Sequence, residues 1–193
     1  DDAEFVSNTA QRWGFPISVE RKEVATIASK NRLSLEEAGR KARYDFLTEV
    51  AQRERLSLIL VGHNADDQVE TVLMHMLRGA GLSGLGGMRP LTPMAAIHMP
   101  DKNATNTKLQ LGRPLLTVTR VEIEAYCQAH GIHPRYDVSN ADTVFFRNRL
   151  RHEILPVLER VQPNIRVVLR RMATVLGEDQ RVVEQATHSA LQK

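Results

Sequence analysis

The chain has 193 residues, a formal net charge of +3 and a hydrophobic content of 42%, which is enough for a folded core. It contains no stretch of the about 20 apolar residues that span a bilayer, so the sequence predicts a soluble protein. The single cysteine, Cys127, excludes an internal disulfide and favours a cytoplasmic location.

The first elements are predicted from local stop and cap signals. An amphipathic stretch predicts a helix that stops at Gly14. Residues 17–19, Ile-Ser-Val, predict a strand of the sheet. Ser34 and Glu37 have the spacing of a capping box, which predicts a long helix through Arg53.

The most informative segment follows the run Leu58-Ile59-Leu60-Val61, which predicts a strand buried on both faces. Residues 62–71 then open an amphipathic helix. Ligands of open α/β sheets lie outside the carboxyl ends of the strands, where the next helices begin. His63, the acidic residues Asp66, Asp67 and Glu70, and the start of the helix therefore form a candidate reaction centre at that edge.

The two faces of this helix leave a second interpretation open. The predicted core face consists of Val69, Val72, Leu73 and Met76. The opposite face consists of Asp67, Glu70, Thr71, Met74 and Arg78. In the plainer interpretation the acidic residues form a solvated first turn that complements the helix dipole. Asp66 would then only cap the helix, and His63 would be a packed imidazole.

The next segments are a loop, a hairpin and a helix. Residues 79–88 hold five of the eleven glycines, which predicts a flexible or tightly turned loop. Residues 91–110 predict a hairpin with a polar tip at 101–107. Thr119 and Glu122 predict a further capped helix, which ends at Gly131.

The C-terminal third is rich in arginine, with seven arginines against three acidic residues between positions 142 and 172. Such a basic stripe is typical of a protein that binds a polyanion such as tRNA, although a solvated helix face has the same composition. One long helix is predicted after Pro163, with an apolar face of Ile165, Val168, Leu169, Met172 and Leu176.

Several motifs occur in a fixed order along the chain. They are Glu37 to Tyr44, His63 to Thr71 with the glycine-rich block through Met88, Arg113 to Leu116, Glu122 to Tyr126, Asp137 to Asn140, and Phe146 to Pro156. Together the blocks span about residues 1–175 and resemble the tRNA-Ile lysidine synthetases, a branch of the PP-loop ATP pyrophosphatases.

The resemblance implies an α/β fold of the adenine nucleotide alpha-hydrolase type. This is a Rossmann-like three-layer α/β/α arrangement with a mostly parallel sheet, followed by a helical linker. The catalytic domain would cover residues 1–155, and residues 156–193 would lead toward a tRNA-recognition domain. The family's Ser-Gly-Gly-x-Asp-Ser phosphate loop is absent, since Ser83 to Gly87 follows a helix instead of a strand. We therefore expect an N-terminally truncated fragment that is inactive alone.

The resemblance also implies a reaction. ATP adenylates the ring carbonyl of the wobble cytidine in a tRNA-Ile with a CAU anticodon. The ε-amine of free lysine then attacks that carbon, and AMP leaves. The implied ligands are ATP, Mg²⁺, lysine and this tRNA. Whether the protein forms a homodimer is left open.

The chemistry assigns roles to particular residues. Lysine arrives as an ammonium ion, so carboxylates must hold it and help to remove its proton, and Asp67 and Glu70 match that need. His63 is placed to contact the nucleotide or the reacting cytosine. Fixed cations stabilise the charge that develops on phosphate and bind the tRNA. The candidate cations are Arg43, Arg147, Arg149 and Arg151.

Two other functions remain open from the sequence. One is a related PP-loop tRNA thiolase, against which the single cysteine counts. The other is a domain that only binds RNA. No zinc site is expected, because the seven histidines and one cysteine show no ligand spacing.

Overall fold

The computed structural model describes residues 2–97, 108–135 and 142–192. The described helices are α1 (Asp2–Arg12), α2 (Val24–Asn31), α3 (Leu35–Arg53), α4 (Ala65–Leu77), α5 (Leu82–Leu85), α6 (Met94–Ile97), α7 (Arg120–Ala129), α8 (Phe146–Arg149), α9 (Leu155–Val161) and α10 (Ile165–Leu191). A π-helical turn, Leu150–Ile154, joins α8 to α9. The strands are β1 (Leu58–Leu60), β2 (Leu91–Pro93) and β3 (Gln110–Gly112).

The chain forms two compact units. Unit 1 contains Asp1–Ile59 and Thr92–Leu111, and unit 2 contains Leu60–Leu91 and Gly112–Lys193. The chain therefore passes from one unit to the other within each of the three strands. The predicted domain boundary after residue 155 is a different division and stays a prediction.

The three strands pair in the order β1-β3-β2, and the β1–β3 pair is parallel. Gln110 N donates to Ser57 O at 2.9 Å, and Val61 N donates to Gly112 O at 3.0 Å, which is the register of parallel strands. The carboxyl ends of β1 and β3 consequently lie at the same edge of the sheet.

Strands β2 and β3 pair in the antiparallel sense. Arg113 N donates to Pro90 O at 2.8 Å, and Met94 N donates to Leu109 O at 2.9 Å. The predicted hairpin is thus confirmed at its base, with helix α6 interrupting its first arm. Its predicted tip at residues 101–107 lies outside the described residues, as does the motif at 137–140.

Two predictions about strands are wrong. Residues 17–19 belong to none of the three described strands, and Ile17 and Val19 are exposed. A strand exists only where a neighbour accepts its backbone hydrogen bonds, and this segment has no such neighbour in the described ranges. Strand β1 is not buried on both faces, because Ile59 is buried whereas Leu58 and Leu60 are 46% and 62% exposed.

Unit 1 is built around the contact between α2 and α3. The contact is close because small side chains dominate it: the buried residues are Ala28 on α2 and Ala38, Ala42, Tyr44 and Ala51 on α3. Helix α1 has no buried residue. It ends as predicted before Gly14, whose φ of +72° favours glycine.

The capping box at the start of α3 is confirmed. Glu37 N donates to Ser34 Oγ, and Ser34 N donates to Glu37 Oε2. We expect Ser34→Ala to lower the free energy of unfolding by about 1 kcal/mol, because it leaves a backbone N–H without its acceptor. Urea unfolding measures this loss. Ser29→Ala, at an exposed position within α2, is the matched control, and equal losses in both variants would contradict the prediction.

Unit 2 has its core between α4, α10 and the segment that includes the π-helical turn. The buried cluster consists of Val69, Val72, Leu73, Leu150, Leu155, Leu169 and Ala173. Three of the four predicted core residues of α4 are confirmed, but Met76 is 45% exposed. Glu70 and Thr71, on the face predicted to be polar, are buried. Helix α4 is thus covered on both faces over its first two turns.

The remaining predicted elements are present. The glycine-rich loop is tightly turned, with left-handed glycines at Gly79 and Gly87 on either side of α5. Thr119 caps α7, which ends before Gly131, and the predicted long helix is α10. In the described ranges, no helix is both long and apolar enough to cross a membrane.

Candidate active site at the start of helix α4

Helix α4 begins with a capping box in which Asn64, and not Asp66, is the cap. Asn64 Oδ1 accepts hydrogen bonds from the N–H groups of Asp66 and Asp67 at 2.9 and 3.0 Å. In return, Asp67 Oδ2 accepts from Asn64 N at 3.0 Å. One oxygen of Asp67 is therefore held by the backbone, which fixes the direction of the other.

The second oxygen of Asp67 lies near a cation. Asp67 Oδ1 is 4.0 Å from Arg151 Nη2, and the Asp67 side chain is 20% exposed. A carboxylate that is anchored at one oxygen and whose side chain is partly exposed to solvent can receive a positively charged ligand at the other oxygen. Asp67 is the predicted site residue whose geometry best matches its predicted role.

Glu70 has very different surroundings. Its side chain is fully buried, with Oε1 accepting from Arg151 Nε at 2.6 Å. Oε2 lies 3.0 Å from Arg147 Nε, although these two atoms are not aligned for a hydrogen bond. The interpretation of a solvated acidic turn is therefore wrong for Glu70. An incoming ammonium ion could reach Glu70 only after an arginine had left.

Arg147 and Arg151 are held against α4 by several contacts. Arg147 Nη2 donates to Thr71 Oγ1 at 2.8 Å and approaches the backbone oxygen of Asp67 at 3.4 Å. Burial by itself lowers the pKa of Arg151, but the hydrogen bond and charge of Glu70 outweigh burial, so this pKa is raised above its ordinary value. Both guanidinium groups are thus fixed positive charges beside Asp67. Their predicted contact with phosphate or tRNA stays a prediction.

Arg149 lies apart from these two arginines. Residues 147 and 151 are four positions apart and share a helix face, whereas position 149 falls on the other side. Arg149 is exposed, and its guanidinium lies 5.7 Å from the centre of the Phe146 ring. Arg78 approaches the same ring at 5.8 Å. Among the predicted cations of unit 2, Arg149 is thus the one that lies against Phe146 instead of against Asp67 and Glu70.

His63 has a partner that the sequence did not reveal. It follows β1, and Arg113 follows the neighbouring parallel strand β3, so the sheet brings both residues to one edge. Arg113 Nε donates to His63 Nδ1 at 3.3 Å, and Arg113 Nη1 donates to the backbone oxygen of Arg89 at 2.7 Å. Because Nδ1 accepts, a neutral His63 carries its proton on Nε2. The feature of the sequence that could have pointed to Arg113 is its position directly after a strand that runs parallel to β1.

The two residues on either side of Asp67, Asp66 and Gln68, form hydrogen bonds that connect α4 to other parts of unit 2. Asp66 accepts from Arg120 N at 2.8 Å and from Arg166 Nη1 at 2.9 Å, which ties α4 to the starts of α7 and α10. Gln68, which the sequence did not single out, exchanges two hydrogen bonds with the backbone of Met88, at 2.8 and 3.1 Å. Gln68 therefore fixes the end of the glycine-rich loop.

The start of α4 does not fit the phosphates of a nucleotide. Its first four backbone N–H groups, at residues 65–68, all donate to Val118 or Asn64. A phosphate site at a helix start needs N–H groups that are free to point at the anion. Within the described parts of the chain, no group of three or more His, Cys, Asp or Glu side chains is placed to hold a metal ion.

Arg43 belongs to unit 1, where it is exposed on α3. The structure brings together Asp67, Glu70, Arg147 and Arg151 within unit 2, and it pairs His63 with Arg113. The predicted part of Arg43 in the same centre stays a prediction.

Comparison with known proteins identifies relatives over the whole chain. The tRNA(Ile)-lysidine synthase of Geobacter sulfurreducens is 38% identical over 193 residues, which is all of this chain and 38% of that protein. The enzyme of the same name from Dehalococcoides mccartyi is 36% identical over 186 residues, or 96% of this chain and 38% of that protein. The chain thus spans about two fifths of the length of these curated relatives.

A solved structure shows the same fold at lower identity. The U34-tRNA thiolase NcsA from Methanococcus maripaludis, with its [4Fe-4S] cluster, has a TM-score of 0.59 and 17% identity. The match covers 92% of this chain and 56% of that chain. Together with the match to the PP-loop domain, it confirms the predicted adenine nucleotide alpha-hydrolase type of fold. The family model of the PP-loop domain, an ATP-binding domain, matches residues 1–158, and the chain therefore belongs to the PP-loop family.

Proposed function

We propose that this chain is part of an enzyme that uses ATP to join lysine to the wobble cytidine of a CAU-anticodon tRNA-Ile. The names of the relatives support the proposal, since their similarity extends over the whole chain. Because the chain spans only about two fifths of each relative, activity, substrates and partners are all part of the proposal. The observation that carries it is the anchored and partly open carboxylate of Asp67.

Asp67 is proposed to bind the ε-ammonium of lysine through Oδ1. Its other oxygen, Oδ2, accepts the hydrogen bond from Asn64 N, so Oδ1 keeps one direction relative to α4. An ammonium ion placed there also lies near Arg151, whose Nη2 is 4.0 Å from Oδ1. A neighbouring positive charge lowers the pKa of an amine, which favours the neutral form that can attack carbon. Attraction by Asp67 would bind the ammonium ion, and repulsion by Arg151 would favour transfer of its proton to the Asp67 carboxylate, which leaves the neutral amine to attack.

Glu70 is proposed to be a positioning residue instead of a ligand for lysine. Its two oxygens lie 2.6 and 3.0 Å from Arg151 and Arg147. Those contacts hold the two guanidinium groups at the side of α4 that bears Asp67. Glu70 would therefore determine how much positive charge lies near Asp67 and its ligand, although Glu70 contacts neither of them.

The nucleotide is proposed to be ATP in its Mg²⁺ complex. When bound, it would turn the carbonyl oxygen of the cytidine into a leaving group. Because the N–H groups at the start of α4 already have acceptors, we assign no phosphate contact to them. The exposed cations Arg43 and Arg149 are proposed to face phosphate groups of ATP or tRNA. His63, with its proton on Nε2, would donate a hydrogen bond to the nucleotide or to the cytosine.

We further propose that residues 156–193 lead from the catalytic domain toward a tRNA-recognition domain, and that the protein works in the cytoplasm. The first proposal is supported by the length of α10 and by the PP-loop match, which ends at residue 158. The second is supported by the single cysteine, Cys127.

The experiment uses the protein as its gene encodes it. It is incubated with ATP, Mg²⁺, labelled lysine and a transcript of tRNA-Ile with a CAU anticodon, and label in the tRNA is counted. We expect incorporation that requires ATP and is lost when the anticodon is changed to GAU. A folded protein that binds the transcript but incorporates no lysine would refute the proposal.

A further inference from the structure

Unit 2 contains a cleft with a volume of about 740 Å³ beside the site described above. Helix α10 forms one wall, and residues 86–91 together with Leu116 and Thr117 form the other. At one end the two walls meet through glycine: a Cβ added to Gly86 would lie 3.0 Å from Gly177 Cα. This volume is within the range of pockets that hold small ligands or parts of larger ones.

The cleft lies next to Asp67 along α4. Gln68, the residue after Asp67, lines it, and its amide is held by the backbone of Met88. Leu116 and Thr117 belong to the segment that follows β3, at the sheet edge where His63 and Arg113 lie. A ligand in the cleft would therefore lie close to the turn of α4 that carries Asp67.

The charge of the cleft is positive. Four arginines line it, of which Arg89 pairs with Glu184 and Arg181 pairs with Glu178. The other two, Arg170 and Arg171, are neighbours on α10 and form no ion pair with any described residue. Two adjacent guanidinium groups that form no direct ion pair are suited to an anion, and their planar donors match the oxygens of a phosphate. A carboxylate that interacts with Arg170 through its charge is Glu122, whose pKa is lowered first by its hydrogen bonds with Thr119 and to a smaller extent by the charge of Arg170.

The two walls also carry apolar side chains, which together we call the apolar floor of the cleft. It includes Met88, Pro90, Leu91, Leu116 and Val167. A free inorganic anion would gain nothing from such a floor. A nucleotide would gain from both parts, because its base has an apolar face and its phosphate is charged. Sites for single-stranded nucleic acid combine basic grooves with surfaces on which bases pack.

We propose that this cleft holds one unpaired nucleotide of the RNA substrate, adjacent to the nucleotide that reacts. Its base lies on the apolar floor and its phosphate lies against Arg170 and Arg171. The identity of the ligand as RNA rests on the proposed function, whereas the cleft, its charge and its floor are features of the described chain.

The test measures RNA binding by the protein as its gene encodes it, without ATP or lysine. The probe is a fluorescently labelled RNA hairpin with the CAU anticodon loop, titrated at several salt concentrations. For Arg170→Glu with Arg171→Glu we expect affinity to fall about tenfold or more, with a reduction of the salt slope by about one unit per arginine. Arg21→Glu with Lys30→Glu makes the same charge change at exposed positions outside both the cleft and the basic stripe, and should cost much less.

A second variant tests the shape of the site. Thr174 is exposed on the cleft wall, and Thr174→Trp fills the space without changing charge. We expect it to weaken binding about tenfold while leaving the salt slope unchanged. Urea unfolding checks that each variant is folded, and Arg171→Glu alone replaces the double variant if that one is not.

The outcomes decide between three cases. Loss of affinity in both cleft variants supports the proposal. No greater loss in the arginine variant than in its control overturns it. Loss in the arginine variant with unchanged binding by Thr174→Trp also overturns it, because the arginines would then be only part of a basic surface. Since the assay needs no catalysis, its failure is distinguishable from failure of lysine transfer.

Discussion

Replacing Glu70 by glutamine is expected to lower the free energy of unfolding by about 3 kcal/mol. Glu70 is fully buried and lies within 3.0 Å of guanidinium nitrogens of Arg147 and Arg151. Glutamine keeps the shape but removes the negative charge that compensates the two cations. It also turns an NH₂ group toward a donor, which leaves a buried donor without an acceptor.

The measurement is urea unfolding of the protein and of two variants. Glu153→Gln removes the same charge from an exposed position on the same π-helical turn as Arg151, and should change the free energy of unfolding by less than about 0.5 kcal/mol. The side chains of Arg147 and Arg151 are 29% and 23% exposed, so water can solvate their charges in the variant and offset part of the lost stability. The expected loss is therefore at the lower end of the range for broken buried ion pairs. Equal stabilities of Glu70→Gln and Glu153→Gln would contradict the positioning role.

Asp67→Asn is expected to reduce lysine incorporation into tRNA by about 100-fold or more while leaving the fold intact. Asparagine removes the charge that would bind the ammonium ion. Its side-chain oxygen can still accept the hydrogen bond from Asn64 N, so the capping box survives. The expected change in stability is therefore below about 1 kcal/mol.

Asp66→Asn is the matched control for this prediction. It removes one charge from the adjacent position, where the carboxylate accepts from Arg166 and Arg120 N. We expect it to lower stability more than activity, the reverse of Asp67→Asn. Similar incorporation rates for Asp67→Asn and the unchanged protein would remove Asp67 from the amine site.

The elements predicted correctly from sequence are those with strong local signals. The Ser34–Glu37 and Thr119–Glu122 spacings define the starts of α3 and α7, and glycine ends α1 and α7. The strand predicted at residues 17–19 fails for the opposite reason. Apolar, β-branched composition permits an extended backbone, but only a neighbouring strand supplies the hydrogen bonds.

The sequence predicted which residues belong to the candidate site, but it did not predict how their side chains are arranged. Sequence spacing places Asp67 and Glu70 one turn apart and assigns them the same role. The structure gives the two carboxylates different surroundings, because Arg151, 81 positions along the chain, hydrogen-bonds to Glu70 at 2.6 Å within the buried part of the site. Arg113 and Gln68 were missed because their partners, His63 and the Met88 backbone, are likewise distant in sequence.

The most direct test of the central claim separates the two chemical steps in Asp67→Asn. Release of pyrophosphate that depends on tRNA is measured without lysine, and transfer of labelled lysine is measured in parallel. If Asp67 acts on the amine, the variant retains most of the pyrophosphate release and loses lysine transfer. Equal loss of both steps in a folded variant would contradict the account, because Asp67 would then serve activation of the cytidine instead of the amine.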